Sequence, residues 1–521
     1  MPRPDNAPPA LRPFTARLCQ LLPAGAALLF ASAAPAQRPI APAPPDPAVV
    51  AALSHISPQH IHDDIARLVS FGNRDTLSSM DTGLPAGTGI IAASDWVFAE
   101  FTRISQACGN CLQVYRDDFV EQPQSGASAR IVKPTRLVNV YAVLKGSDPA
   151  QAERRVLVTG HVDSRNTDVM DTHKAAPGAN DDASGVAVSL ECARVLTSSG
   201  IRFPATIVFV GVDGEEQGLV GSRHLARLAR AEHWDLEAVL NNDIVGGDTT
   251  PGDKYQDKSA VRVFSEGVPG PATLDELHQI QTTGAESDSA SRELARAIIE
   301  VDSTYFRPTE QHPLAAAPRP SGMAPRNTPA FHPVLIFRRD RFLRGGDHTS
   351  FNLEGFPAVR FTEWRENFNH QHQDVRVAEG VNVDGSKGQV QFGDLIQYVD
   401  FNYVANVARL NAAVLATLAL APGPPQQVHI LTSAVDNNTQ LAWQPPAGFP
   451  AGASYEVVWR DSSAPTWTTV QSAGAATSIT IPVSKDNVVF GVRSVDAAGH
   501  RSVAVYPIPT RGATFPTPPT H

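Results

Sequence analysis

Residues 205–218 read ATIVFVGVDGEEQG, and this stretch decides the fold. The run from Ala205 to Val212 is apolar throughout, rich in β-branched residues, and too short for an ordinary helix. It shows no alternation of the kind that leaves one face in water, so it reads as a strand buried on both sides. At its end the chain turns acidic at once, as Asp213-Gly214-Glu215-Glu216, and helical spacing then begins at Leu219 and runs to Ala231. Two adjacent glutamates at the mouth of a buried strand are costly unless something offsets their charge.

Working outward, the same alternation of periods repeats. Val156–Thr159 is a short apolar run and Ser184–Leu196 is helical. Val239–Val245, Val261–Phe264, Pro333–Phe337 and Ala358–Thr362 read as strands, and Ser289–Phe306 as a helix. Ile61–Phe71 and Gly89–Ile104 are amphipathic helical stretches upstream. Gly393–Leu420 reads as one long closing helix, with apolar residues three or four apart. Strands alternating with helices predict an α/β fold: a mixed, mainly parallel central sheet flanked by helices.

The two ends differ from this middle. Arg3, Arg12 and Arg17, the apolar stretch Leu21–Ala34 and the small-residue motif Ala34-Pro35-Ala36 read as a signal peptide over residues 1–36, hence a secreted or periplasmic protein with no transmembrane anchor after cleavage. No later stretch reads as a membrane span. Residues 37–47 are expected to form a Pro-rich extended leader without a core of its own, and the main globular unit is expected over 48–420. A linker at 421–426 precedes short alternating strands over 427–510, an all-β sandwich pattern, and 511–521 is a tail. Cys108 and Cys111 fit a loop-stapling disulfide, and Cys192 a buried free thiol. The formal charge of −10 argues against nucleic acid as partner.

The chemistry-bearing residues sit where α/β sheets place their sites, at strand ends. They are His161 and Asp163 in GHVDS, Asp181 and Asp182 in PGANDDASG, Glu215 and Glu216, and Asp243 in Asn241-Asn242-Asp243. Three histidines, His348, His370 and His372, compete near the last strand. Each segment alone has a plain structural explanation, as a surface pair or a helix cap. Together they form a nitrogen-and-oxygen donor set without thiolate, which suits Zn²⁺.

The segments GHVDS, PGANDDASG, DGEEQGLVGS, NND and GGDHTSFNLEGFPAVRF…HQHQD resemble the secreted di-zinc aminopeptidases, relatives of bacterial leucyl aminopeptidase and aminopeptidase Y, over roughly residues 61–420. The resemblance implies a zinc-exopeptidase-like fold of the phosphorylase/hydrolase type and two Zn²⁺ per chain. It implies that His161 and Asp243 hold one ion, Glu216 and His370 the other, and that Asp181 bridges them. His370 is selected because Asp374 follows four residues later, as in that family; His372 is the runner-up. Asp163 would orient His161, and Glu215 would act as general base toward a hydroxide held between the metals. The family often has Tyr before the last histidine ligand, where Asn369 stands here, so no oxyanion role carries over.

The expected partners are then peptides with a free N-terminus. Rival expectations on the same scaffold are a carboxypeptidase-like enzyme or a glutaminyl cyclase, and outside enzymology a secreted binding protein. The C-terminal strands resemble a fibronectin type III domain, with Phe490 at the usual corner tyrosine position, and could contact a surface or a polymer. The loops at 247–260 and 310–330 are candidates for shaping the specificity pocket.

Overall fold

The computed structural model describes residues 37–306, 330–433 and 435–511. The expected signal peptide, the tail beyond Arg511 and all of the 310–330 loop except Ala330 lie outside the described residues.

The strands are, in chain order, β1 (Arg38–Pro39), β2 (Leu112–Glu121), β3 (Thr135–Leu144), β4 (Arg154–His161), β5 (Thr206–Val212), β6 (Asp235–Asn242), β7 (Ala260–Ser265), β8 (His332–Ile336) and β9 (Ala358–Glu363). A hairpin follows, β10 (Arg376–Val381) and β11 (Lys387–Phe392). The C-terminal part adds β12 (Gln426–Leu431), β13 (Thr439–Gln444), β14 (Ser454–Asp461), β15 (Thr469–Gly474), β16 (Ser478–Ile481), β17 (Val488–Val495) and β18 (Ile508–Thr510). The helices are α1 (Pro47–Ser54), α2 (Pro58–Val69), α3 (Gly89–Ala107), α4 (Ala183–Ser198), α5 (Val220–Ala231), α6 (Leu274–Thr283), α7 (Ala290–Tyr305), α8 (His348–Leu353) and α9 (Phe401–Leu420).

Among the described residues, one mixed sheet runs β2-β3-β5-β4-β6-β9-β7-β8. Its centre, β5-β4-β6-β9, is parallel; the β2–β3, β3–β5 and β9–β7 pairs are antiparallel, and β8 runs parallel to β7. The apolar run of β5 is split between two cores by its period of two. Ile207 and Phe209 face the layer holding α4 and α9, while Val208, Val210 and Val212 face α5 and α8. Each such side chain, fully removed from water, contributes about 1.5–3 kcal/mol.

Two sequence expectations need correction. The long closing helix begins at Phe401, not Gly393, because Asp400 caps it: its side chain accepts the backbone N–H groups of Asn402 and Tyr403. Leu395 and Val399 mimic helical spacing from a loop that carries only a short 3₁₀ turn over Ile396–Tyr398. Moreover, α9 is long and apolar enough to cross a membrane, with mean hydropathy 1.4, against the reading that no later stretch is. Most of that window (78%) is buried inside the protein, packed on α4, α2 and α7, and its composition answers to that core.

The β2–β3 hairpin was not foreseen. Arg116, Asp117 and Asp118 break the apolar pattern of β2, as charges often do on an edge strand. A disulfide between Cys108 and Cys111, Cα atoms 5.6 Å apart, staples the turn from α3 into β2, and Cys192 is a buried free thiol.

The C-terminal strands form two four-stranded sheets, β1-β15-β14-β17 and β16-β13-β12-β18. They share a core built on Trp443, Tyr455, Val457, Phe490 and Val492. The short strand β1, from the Pro-rich leader, adds an edge strand here, Arg38 opposite Val470. Buried arginines of the first sheet pair with α7 and the residues just before it: Arg493 with Glu300 at 2.6 Å and Arg460 with Asp288 at 2.5 Å.

Candidate functional site

The parallel centre of the sheet ends in three adjacent segments. His161 closes β4 and is paired in register with Val212 of β5, so Asp213–Glu216 leaves the sheet beside it. Asp243 directly follows β6 on the other side. The fourth segment, Asn180–Asp182, enters α4. Asp182 caps that helix by accepting the Gly185 N–H and also accepts the His161 N–H at 2.9 Å. Helix and strand meet without side chains between them. A Cβ on Gly160 would stand 2.3 Å from the Gly185 carbonyl carbon, so both glycines are required by close approach.

Asp181 is the centre of the arrangement. Its Oδ1 lies 3.1 Å from His161 Nε2, and its Oδ2 lies 3.0 Å from His372 Nε2. His161 Nε2 is 3.9 Å from Asp243 Oδ1, and His372 Nε2 is 3.0 Å from Glu216 Oε1. Two donor groups result, His161–Asp181–Asp243 and Asp181–Glu216–His372, each with ligand atoms within 4.8 Å of one another. The set is oxygen and imidazole nitrogen only, shared at one carboxylate, and it fits a pair of zinc-sized cations.

Asp163 lies beneath this cluster. The Nδ1 of His161 donates to the Asp163 backbone carbonyl at 3.1 Å and stands 3.3 Å from its carboxylate, which turns Nε2 toward Asp181. The same carboxylate accepts the backbone N–H groups of Glu215 at 3.2 Å and Glu216 at 2.9 Å. One residue therefore orients both the histidine and the glutamate pair.

His370 does not join the donor groups. Its Nδ1 is 2.6 Å from Asp248 Oδ2 and its ring stacks on Tyr398, centroids 4.0 Å apart. The expectation that named His370 is corrected to His372 as the histidine facing Asp181 and Glu216. The cause is local backbone. His372 has φ 56, in the left-handed region, and this turns its side chain away from the course an extended chain would give it. Asp374, the residue that pointed to His370, instead pairs with Lys174 at 3.3 Å. His348 is buried, hydrogen-bonds the Arg339 carbonyl through Nε2 at 2.8 Å and stands outside both groups.

The charges are badly unbalanced by protein atoms alone. Burial pushes the Asp181 carboxyl up, yet the two imidazoles beside it outweigh burial and hold it well below the usual range. Burial pushes His372 down, but Glu216 and Asp181 carry it to about 10. His161 is raised well above its ordinary value against burial, by Asp163 and Asp181. Burial raises Glu215 and Asp182 well above normal and Asp347 to about 7. Such a cluster binds positive charge wherever it can, as protons on imidazole or as cations.

Several supporting residues were not read from the sequence. Arg360, fully buried, places Nη1 2.7 Å from Asp243 Oδ2 and hydrogen-bonds the Gly345 carbonyl at 3.2 Å. Its signal was present: a charged residue in the middle of the otherwise apolar AVRF strand implies a buried partner. Asp394 accepts the Asn180 and Asp181 N–H groups, at 2.9 and 2.7 Å, and so fixes the backbone that carries the shared carboxylate. Gln371 Nε2 donates to Asp181 Oδ2 at 3.3 Å. No sequence pattern marks the last two.

Residues 139–293 match the family model described as peptidase family M28. A "probable zinc metalloprotease" of Leptosphaeria maculans is 41% identical, over 89% of this chain and 98% of the relative. A protein of the same description from Pyricularia oryzae is 42% identical, over 89% of this chain and 85% of its own length. Among solved structures, the Legionella pneumophila LapA aminopeptidase is 20% identical with a TM-score of 0.46, over 71% of this chain and 74% of that one.

Proposed function

The chain belongs to peptidase family M28 and is a zinc metallopeptidase, and from that premise we propose that it is a secreted aminopeptidase working with two zinc ions. The observation that carries the two-ion reading is Asp181, whose two oxygens each serve a separate donor group. His161 and Asp243 would hold one ion, Glu216 and His372 the other, with Asp181 common to both. Bound zinc would supply Lewis acidity toward the scissile carbonyl and lower the pKa of water to near neutrality.

The protein's own residues do the rest. Asp163 presets the His161 tautomer through the Nδ1 contact and fixes the Glu215–Glu216 backbone. Glu215 lies outside both donor groups, and its buried carboxyl, once ionised by positive charge held in the cluster, would take a proton from water and hand it to the departing amine. Arg360 leaves Asp243 one oxygen for the cluster by holding the other. The α-amine of the substrate would meet this carboxylate-rich pocket, which favours removal of single N-terminal residues. Secretion is supported by the Cys108–Cys111 disulfide, a bond that persists in oxidising compartments.

The test pairs metal content with a panel of aminoacyl amides and their N-acetylated counterparts. Two zinc ions per chain and cleavage restricted to free N-termini are expected. Equal cleavage of N-acetylated peptides would remove the aminopeptidase reading.

A further inference from the structure

The stretch Phe337-Arg-Arg-Asp-Arg-Phe-Leu-Arg-Gly345, after β8, is not used by the chemistry above. Residues 338–345 of this stretch line an open groove of about 500 Å³ together with Thr349. Four arginines and a single acid, Asp340, line this groove, on a chain whose formal charge is −10. Two of the arginines are committed: Arg341 pairs with Asp340 at 3.0 Å and Glu366 at 3.1 Å, and Arg344 pairs with Glu366 at 2.7 Å. Arg338 and Arg339 are exposed and neither closes an ion pair among the described residues, although the Arg339 charge partly offsets the burial that raises the Glu266 carboxyl to about 7. Arg338 lies over the Phe342 ring at 5.3 Å, and Phe342 and Leu343 are 74% and 91% exposed.

The groove is connected to the donor groups by direct contacts. Gly345, on its wall, receives Arg360, and the same guanidinium nitrogen touches Asp243 Oδ2. The neighbouring Gly346 packs so closely that a Cβ there would stand 3.4 Å from that oxygen. A chain leaving the catalytic cluster on this side would meet the exposed guanidinium groups of Arg338 and Arg339 beside exposed apolar side chains.

We infer that the Arg338–Arg339 groove receives carboxylates on the leaving-group side of a peptide substrate. The chemistry is that of guanidinium toward carboxylate, with Phe342 and Leu343 covering the intervening backbone. The carboxylate is either the free C-terminus of a short peptide or an acidic side chain of a longer one. This rests on the aminopeptidase reading, and the test separates the two.

Three peptides sharing one N-terminal residue are compared: a neutral peptide with an amidated C-terminus, the same peptide with a free C-terminus, and an amidated one with Glu replacing Gln beyond the scissile bond. At low salt the wild type is expected to show kcat/KM about tenfold higher for a carboxylate-bearing peptide, as two exposed ion pairs of about threefold each would give. The double variant R338E/R339E is expected to abolish that preference while cleaving the neutral peptide within about twofold of wild type. A preference confined to the free C-terminus assigns the main-chain carboxylate, and one confined to Glu assigns side chains. A wild-type ratio near one, or a ratio unchanged in the variant, overturns the inference. If the wild type cleaves none of the three, the aminopeptidase reading falls, and calorimetric binding of the same peptides decides the groove. Tighter binding of carboxylate peptides by wild type than by R338E/R339E then upholds it, and equal binding overturns it.

Discussion

His372 Nε2 lies 3.0 Å from Asp181 Oδ2, on the oxygen opposite the one that faces His161. The two histidines thus address one carboxylate from its two sides. On the proposed two-ion reading, His372→Ala is expected to lower the zinc content toward one ion per chain and to reduce kcat/KM by at least about 10³-fold. His370→Ala, which breaks the Asp248 contact, should keep both ions. Elemental analysis of the purified variants distinguishes the two histidines.

Glu215→Gln preserves shape and removes the proton acceptor. Metal content should be unchanged, and kcat should fall about 10²- to 10⁴-fold, the range for a positioned general base. Near-normal turnover in this variant would assign the proton transfer elsewhere.

Asp163→Asn keeps a side chain of the same size but weakens the grip on three groups at once: the His161 ring and the Glu215 and Glu216 amides. The expected outcome is a loss of about 10- to 100-fold in zinc affinity. Competition with a chromophoric chelator measures it, independently of peptide cleavage.

Arg360 is enclosed between Asp243 at 2.7 Å and Asp340 at 3.7 Å. Burial pushes Asp340 up, but Arg360, His348 and Arg341 hold it below the normal carboxylate range. Arg360→Met leaves both acids without that cation and is expected to cost about 3–5 kcal/mol of stability, read from chemical denaturation of the metal-free protein. A cost below about 1 kcal/mol would mean the acids are solvated or neutralised by other means.

Away from the catalytic cluster, His500 joins the leader to the C-terminal sheets. Its Nδ1 is 2.7 Å from Asp496 Oδ2 and its Nε2 is 3.2 Å from Asp46 Oδ2. Burial pushes His500 down, but these acids raise it above 6.5, while His500 draws Asp496 below 3.8 despite burial. The raised histidine contributes stability that is fully present below pH 6.5 and is lost as pH rises through its folded value. The depressed Asp496 contributes stability present above pH 3.8 and lost as pH falls through its own folded value. The Tm difference between wild type and His500→Asn should therefore be largest between about pH 4 and 6.5 and shrink in alkaline buffer. A difference independent of pH would reduce the contact to packing.

Much of this molecule was legible in one dimension. The apolar run of β5 and its counterparts could only be buried strands, and the helical periods between them required layers on both faces of a sheet. The polar residues directly after those runs, His161, Glu215, Glu216 and Asp243, had to gather at one edge, because the parallel strands β5, β4 and β6 all end there. Element ends and polar edges were less legible. Asp400 stopped a helix that apolar spacing alone would extend, and β2 hid its strand character behind edge charges. The choice between His370 and His372 was decided in three dimensions alone. Both lie in one short turn, and which imidazole enters the carboxylate cluster depends on the left-handed backbone at His372 and on Asp248 being placed to capture His370. Strand burial follows from local composition, whereas the direction of a side chain in a turn follows from dihedral angles that only packing fixes.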